Sequence, residues 1–233
     1  MNNGNLLSFY TAAFIVVIST SLLSHAEGQT NAHLLATDPA TTFTLSRDQI
    51  STETRTIKHS PFTIKIPVGW YLLAQKDIDE LHQIQESVAK SAGKSLPPLA
   101  CGFRLDLTKD YPRILVMVID SGRMPDEVLR TIDNEEWRSG IKHGTITAEQ
   151  YSSVLSNVRA GPSVYDSELK IIWMEISAQV ENYGSMKQLT ALRLTKTGYV
   201  VLAYSADQSD YIKHLSSFVT MVRSLVIDKT FEY

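Results

Sequence analysis

Residues 189–227 read LTALRLTKTGYVVLAYSADQSDYIKHLSSFVTMVRSLVI: a strand, a tight turn, a second strand and an amphipathic helix. From Tyr199 to Ala206 both parities are apolar, with Val201 and Ala203 on one side and Val200, Leu202 and Tyr204 on the other. A strand apolar on both faces is covered on both faces. The strand before it, about 187–195, joins it through 195–198, so the two are expected as antiparallel neighbours, with Gly198 supplying the positive φ that many hairpin turns need. Asp207 or Ser209 is placed to accept from the free N–H groups of the next turn. Tyr211, Leu215, Phe218 and Val222 then recur at helical spacing opposite Lys213, Ser217 and Thr220, so one helix face is expected on the sheet.

Upstream, Phe62, Ile64 and Ile66 alternate with Thr63 and Lys65, a half-buried strand that ends in Pro67-Val68-Gly69-Trp70, a turn that drops an indole against the core. Ile78, Leu81, Ile84 and Val88 are helically spaced, with Asp77 as expected cap and Gly93 as terminator. Residues 95–98 read as a loop. In LACGFRLDL, Leu99, Cys101, Phe103, Leu105 and Leu107 share an apolar parity against polar Arg104, Asp106 and Thr108, so one buried face is expected. A turn at Asp110-Tyr111-Pro112 leads to Ile114–Ile119, apolar on both parities and expected as a central strand. Pro125 opens a second expected helix, running to about Gly140, with Val128, Leu129, Ile132 and Trp137 inward and Asp126 and Glu127 in its electropositive first turn. The pair Thr147 and Gln150 allows a short capped helix before Leu155. Residues 163–180 read as strand, with Ile172, Met174, Ile176, Ala178 and Val180 facing one way and Glu175, Ser177 and Gln179 the other. Asn182-Tyr183-Gly184 makes the turn back to the hairpin.

Antiparallel hairpins with helices between and after them predict an α+β fold, one antiparallel sheet with helices packed on both faces. A single domain over residues 61–233 suffices for a chain of 233 residues with 43% hydrophobic and 20% charged content. The 22 basic and 25 acidic residues give a net charge of −3 without a dense cationic run, which argues against a nucleic-acid partner. Residues 6–26 are hydrophobic, but their uninterrupted centre, Ala12–Ile18, is short for a membrane span and suits a signal peptide, with Ser24-His25-Ala26 as the cleavage signal before Glu27. The alternative is an uncleaved anchor, diluted by Ser8, Thr11, Ser19, Thr20, Ser21 and His25. Residues 27–60 form a polar arm, with one short strand near Phe43–Leu45. The expected product is exported, with no membrane span after cleavage.

The residues offer little chemistry. Cys101, the only cysteine, can form no internal disulfide, and on a buried face it lacks the exposure a nucleophile needs. Gly93-Lys94-Ser95 ends like a phosphate loop, but Val88 stands where its first glycine should be. Gly161-Pro162-Ser163-Val164 begins like a nucleophile elbow, but Tyr165 takes the second glycine's place. His33, His59, His82, His143 and His214 have no metal-ligand spacing, and no cofactor motif is present. Asp133, Glu135 and Glu136 near His143 could form an acid/base pair or hold a metal, although a solvated helix face accounts for the same charges. Tyr165, Trp173 and Tyr183 could line a recognition surface, or Trp173 could pack beneath a helix.

The opening Phe62-Thr-Ile-Lys-Ile-Pro67-Val-Gly69-Trp70, the closing helix through Phe218, Met221 and Leu225, and the antiparallel strands between resemble the PsbP-like superfamily over about residues 61–227. That resemblance implies an α/β/α sandwich and an accessory, partner-binding role without a shared active site. The expectation is therefore an exported non-enzymatic protein that binds another protein of the bacterial envelope. A small-ligand binder with a pocket between sheet and helices is one alternative, and a metal-assisted hydrolase using Asp133 to Glu136 is another.

Overall fold

The computed structural model describes residues 33–34, 40–45, 62–67, 69–91, 96–106, 108–120, 122–130, 132, 135, 138–139, 142 and 155–229. Tyr199–Asp207 (β10) is buried along almost its whole length, as its two-sided apolar pattern demands. It pairs antiparallel with Gly184–Leu194 (β9) on one side and Arg113–Ile119 (β6) on the other. Gly198 does not take the positive φ expected of it. Thr195 closes that turn instead, its hydroxyl accepting from the Gly198 N–H at 2.9 Å.

Beyond β6 come Leu99–Arg104 (β5), Tyr71–Leu72 (β4) and His33–Leu34 (β1). Beyond β9 come Ile171–Val180 (β8) and Leu155–Asp166 (β7), which makes an eight-stranded antiparallel sheet among the described residues. Phe62–Pro67 (β3) lies outside this sheet. It pairs with Ala40–Leu45 (β2) and Val226–Ile227 (β11) in a second, three-stranded sheet, so the polar arm contributes a longer strand than its composition suggests.

The first helix, α1, spans Gln75–Ser91. It starts two residues before Asp77, which sits in its first turn and is not its cap. Its fully buried positions are Leu81, Gln85 and Ala89 beside Ile78, whereas Ile84 is half-buried; Gly93 and the Val88 side chain lie outside the described residues. The second, α2, covers only Asp126–Leu129, with Pro125 before it and Arg130 as C-cap. The expected continuation to Gly140 is interrupted and not ended: Arg130 and Ile132 are in turns, in a run where Thr131, Ile132, Asp133 and Asn134 are all weak helix formers, and Glu135, Arg138, Ser139 and Lys142 are helical again. Val128, Leu129 and Ile132 point inward as expected; Trp137 and residues 143–154, with the Thr147 and Gln150 pair, lie outside the described residues. The closing helix, α3, spans Gln208–Arg223 and is capped by Asp207, whose Oδ1 accepts from the Ser209 and Asp210 N–H groups.

Residues 163–180 are two strands and not one. Asp166 Oδ1 accepts from the N–H groups of Glu168 and Leu169, and the chain reverses through Lys170 at φ 54°. In β5 a bulge between Leu99 and Cys101 reverses the expected alternation. Leu99 therefore packs with Ile78, Leu81, Leu115, Met117 and Val201, while Cys101 and Phe103 pack with Val116, Val200, Leu202 and Tyr204. These groups are the opposite parities of β6 and β10, hence opposite faces of the sheet. Side chains of α1 and α2 join the first group, and those of α3 and β3 join the second.

Gly102 shows how closely α1 approaches: a Cβ there would meet Ile78 and Leu73 at 2.9 Å and Leu115 at 3.0 Å. On the other face Phe218 of α3 stacks on Tyr204 at 5.3 Å and meets Trp173 edge-on at 6.5 Å. The mean architecture is thus an α+β fold, mostly antiparallel sheet with a few helices.

Candidate functional site

Directly opposed residues of antiparallel strands share a face. The register pairs Arg104 with Arg113, Arg113 with Ser205, Ser205 with Gln188 and Gln188 with Ile176, so one row of polar groups crosses β5, β6, β10 and β9 on the α1 face. The row is buried: Arg113 is 0% exposed, Gln188 3%, Arg104 6% and Ser205 8%. Leu115, one pair further along, is already core, so these polar groups occupy the end of the sheet where α1's side chains give out.

Each member is held in place. Arg113 donates from Nη2 to the Tyr111 hydroxyl at 2.8 Å, with its guanidinium carbon 4.3 Å from that ring's centroid. Its Nε and Nη1 have no hydrogen-bond acceptor among the described residues. Arg104 lies 3.8 Å from Asp110, and burial lowers its pKa against the pull of that carboxylate. Asp110 also accepts a hydrogen bond from the Tyr183 hydroxyl. Burial first, and that bond second, push the Tyr183 phenol upward, and its ring meets Tyr111 edge-on at 5.2 Å. Ser205 donates to Gln188 Oε1 at 2.9 Å, and Gln188 Nε2 donates to Thr190 at 2.6 Å. Asp110 is thus engaged by Arg104 and Tyr183, the Asp77 carboxylate of α1 also acts on Arg104, and Arg113 forms no ion pair among the described residues.

A cleft opens over the end of this row. Tyr111, Ser205 and Gln188 form its polar side and Ile176, Ala178, Val180 and Met186 its apolar floor, around a cavity of about 30 Å³. Convergent polar groups over an apolar floor are the make-up of a ligand site. A broader trough lies near the start of α3, between Asp106, Lys109, Asp210, Lys213 and His214. Its charges are matched internally, Lys109 with Asp106 at 3.9 Å and Lys213 with Asp210 at 3.7 Å.

The residues singled out by spacing do not assemble. Glu135 is exposed, and Asp133, Glu136 and His143 lie outside the described residues. Among the described residues no group of three or more His, Cys, Asp or Glu side chains could hold a metal. Cys101 is sealed in the core and burial drives its thiol pKa upward, so it is not poised as a nucleophile. Ser163 is buried within β7 and sits on no strand-to-helix elbow. His82 and His214 are half-buried on helix flanks; His59 and residues 93–95 lie outside the described residues, as does the His33 side chain. Tyr165 and Tyr183 pack on the α1 face while Trp173 packs on the α3 face, so the three aromatics form no common surface.

Arg104 and Arg113 were not singled out by motif. The one available signal was a cation at the inner end of each of two buried strands, opposite Ser205 in a strand apolar on both faces.

No protein-family model and no curated protein matches the chain. Among solved structures the chain is similar to the solution structure of cyanobacterial PsbP (CyanoP) from Synechocystis sp. PCC 6803, at 11% identity and a TM-score of 0.44, over 88% of this chain and 99% of that one. The likeness is to a PsbP-like fold. It is one of fold alone, and no activity or partner is taken from it. Among the described residues no helix is long and apolar enough to cross a membrane.

Proposed function

We propose that this chain is an exported, non-enzymatic accessory protein of the bacterial envelope that works by binding, on a domain arranged as an α/β/α sandwich, with the cleft beside Arg113 as its binding site. The observation that supports the reading is the cleft itself: polar groups converge on an apolar floor beside a guanidinium bonded through one of its three nitrogens. A buried cation left this way is costly to a fold, and it is a cost that a bound anionic group offsets. Export rests on the hydrophobic segment 6–26 and the small residues before Glu27.

Another envelope protein presenting an acidic group is the leading partner. A small ligand is the second reading, favoured by the polar groups that converge over an apolar floor. The test is expression of the full chain in a bacterial host, fractionation, and purification from the envelope extract. A product that begins at Glu27 and carries a stoichiometric partner, lost in Arg113→Met, is the expected result. An intact Met1 contradicts export, and a partner retained by Arg113→Met contradicts the site.

A further inference from the structure

We infer that the trough near the start of α3 binds a small zwitterion, an ammonium and a carboxylate on an apolar body, as in a free amino acid or a short peptide. It shares no lining residue with the cleft beside Arg113 and is a second site. Three observations converge. The first is the set of charges. The turn between β5 and β6 brings Asp106 and Lys109, and α3 brings Asp210, Lys213 and His214, which fall on one helix face. The lining therefore carries two carboxylates and two ammonium groups. Neighbouring charges are committed elsewhere: Asp207, which also feels Lys109, caps α3, and Arg104, which acts on Asp106, faces Asp110 and Asp77.

The second is how loosely these charges are paired. Lys109 stands 3.9 Å from Asp106 and Lys213 3.7 Å from Asp210, and the two lysine side chains are 67% and 69% exposed. Such pairs contribute little and exchange readily for a better partner. A ligand with one charge gains a partner only by stranding the ammonium or carboxylate that it displaces. A ligand with both charges replaces both partners at once, its ammonium meeting the carboxylates and its carboxylate the lysines. Asp106 is the fixed half of the site, because Thr108 donates to its Oδ1 from both N–H and hydroxyl at 2.8 Å. His214 Nε2 has no hydrogen-bond partner among the described residues, so the lining is not fully satisfied by the protein's own groups.

The third is shape. Tyr71, Leu105 and Pro112 add apolar surface among the charges, and the trough holds about 460 Å³, within the range of small-ligand pockets. That is room for an amino acid or a peptide of a few residues, with an apolar side chain against Leu105 and Pro112. A free amino acid and a short peptide present the same two charges at different separations, and the experiment separates them.

The purified full chain is titrated calorimetrically with leucine and leucyl-leucine, which carry both charges, with N-acetyl-leucine, which keeps only the carboxylate, and with leucinamide, which keeps only the ammonium. Leucine, leucyl-leucine or both are expected to bind saturably, and the two singly charged compounds at least about tenfold more weakly, the worth of a charge-assisted hydrogen bond. Whichever zwitterion binds names the source. Asp106→Asn, which keeps the acceptor for Thr108, and Lys213→Gln, at an exposed position, are each expected to weaken the zwitterion by about tenfold with the melting temperature unchanged. Arg113→Met is expected to leave this binding as it is, which keeps the test separate from that of the cleft. Equal binding of N-acetyl-leucine or leucinamide would overturn the zwitterion. Failure of both leucine and leucyl-leucine would overturn the site. Binding undiminished in both trough variants, or lost in Arg113→Met, would place the ligand elsewhere and overturn the assignment to the trough.

Discussion

Replacing Asp207 should loosen the junction between the central strand and the closing helix. One carboxylate oxygen of Asp207 accepts from the Ser209 N–H at 2.8 Å, the Asp210 N–H at 2.9 Å and the Ser209 hydroxyl at 2.7 Å. Asp207→Ala removes all three and leaves two N–H groups of the first helical turn to water, which costs about 1–2 kcal/mol. For a domain of this size that is a fall in melting temperature of roughly 2–8 °C. Asp207→Asn keeps an acceptor but loses the charge at the positive end of the helix, and should cost about 0.3–1 kcal/mol.

The side-chain bond from Ser209, with the backbone bonds, holds the Asp207 carboxyl below its ordinary value of 3.8. A group whose folded pKa is depressed stabilises fully above its unfolded value and loses that contribution as pH falls through the folded one. The gap between the parent and Asp207→Asn should therefore be constant at neutral pH and shrink below about pH 4. Urea unfolding followed by circular dichroism at pH 7 and pH 3 measures both. A cost for Asp207→Ala within error of zero, or a parent-to-Asn gap that widens on acidification, would refute the reasoning.

Gly102→Ala should destabilise by about 1–3 kcal/mol, because its methyl group meets Ile78, Leu73 and Leu115 at once; a denaturation midpoint equal to the parent's would show that α1 docks less closely. Phe218→Ala, which empties the fully buried contact of α3 with Tyr204 and Trp173, should cost about 3–5 kcal/mol in the same assay. Cys101 should resist a thiol reagent in native buffer and react stoichiometrically in denaturant, and rapid native labelling would place it outside the core. The Tyr199 phenol, pushed up to about 12 chiefly by burial, should stay protonated in a spectrophotometric titration through pH 11, and its ionisation with the exposed tyrosines would contradict its contact with Met124.

The hairpin, the two-sided strands β6 and β10, and the Asp207 cap are legible because each follows from a strong local pattern: unbroken apolar runs, a turn, and a capping side chain before a helical stripe. The bulge in β5 is not legible. Ala100 is an ordinary strand residue with no Gly or Pro to mark an insertion, yet its extra position sends Leu99 and Cys101 to opposite faces. The turn between β7 and β8 hides for a similar reason, since Lys170 takes a left-handed conformation usually left to Gly or Asn, and Asp166 holds the turn through its side chain. The second sheet is a tertiary pairing of β3 with segments far apart in the chain, which no local window contains. The candidate site was hidden because an arginine at a strand end reads as solvated. Only the register, which sets Arg113 between Arg104 and Ser205, shows that it is buried.

The central claim is that the cleft at one end of the sheet, on the α1 face alone, is where a partner binds. Methyl-resolved NMR of the full chain during titration with the partner purified from the envelope extract tests it most directly. The account predicts saturable shifts at Ile176, Ala178, Val180 and Met186, with Val200 and Leu202 on the opposite face unmoved. Shifts of equal size on both faces, or none at the four cleft methyl groups, would contradict it.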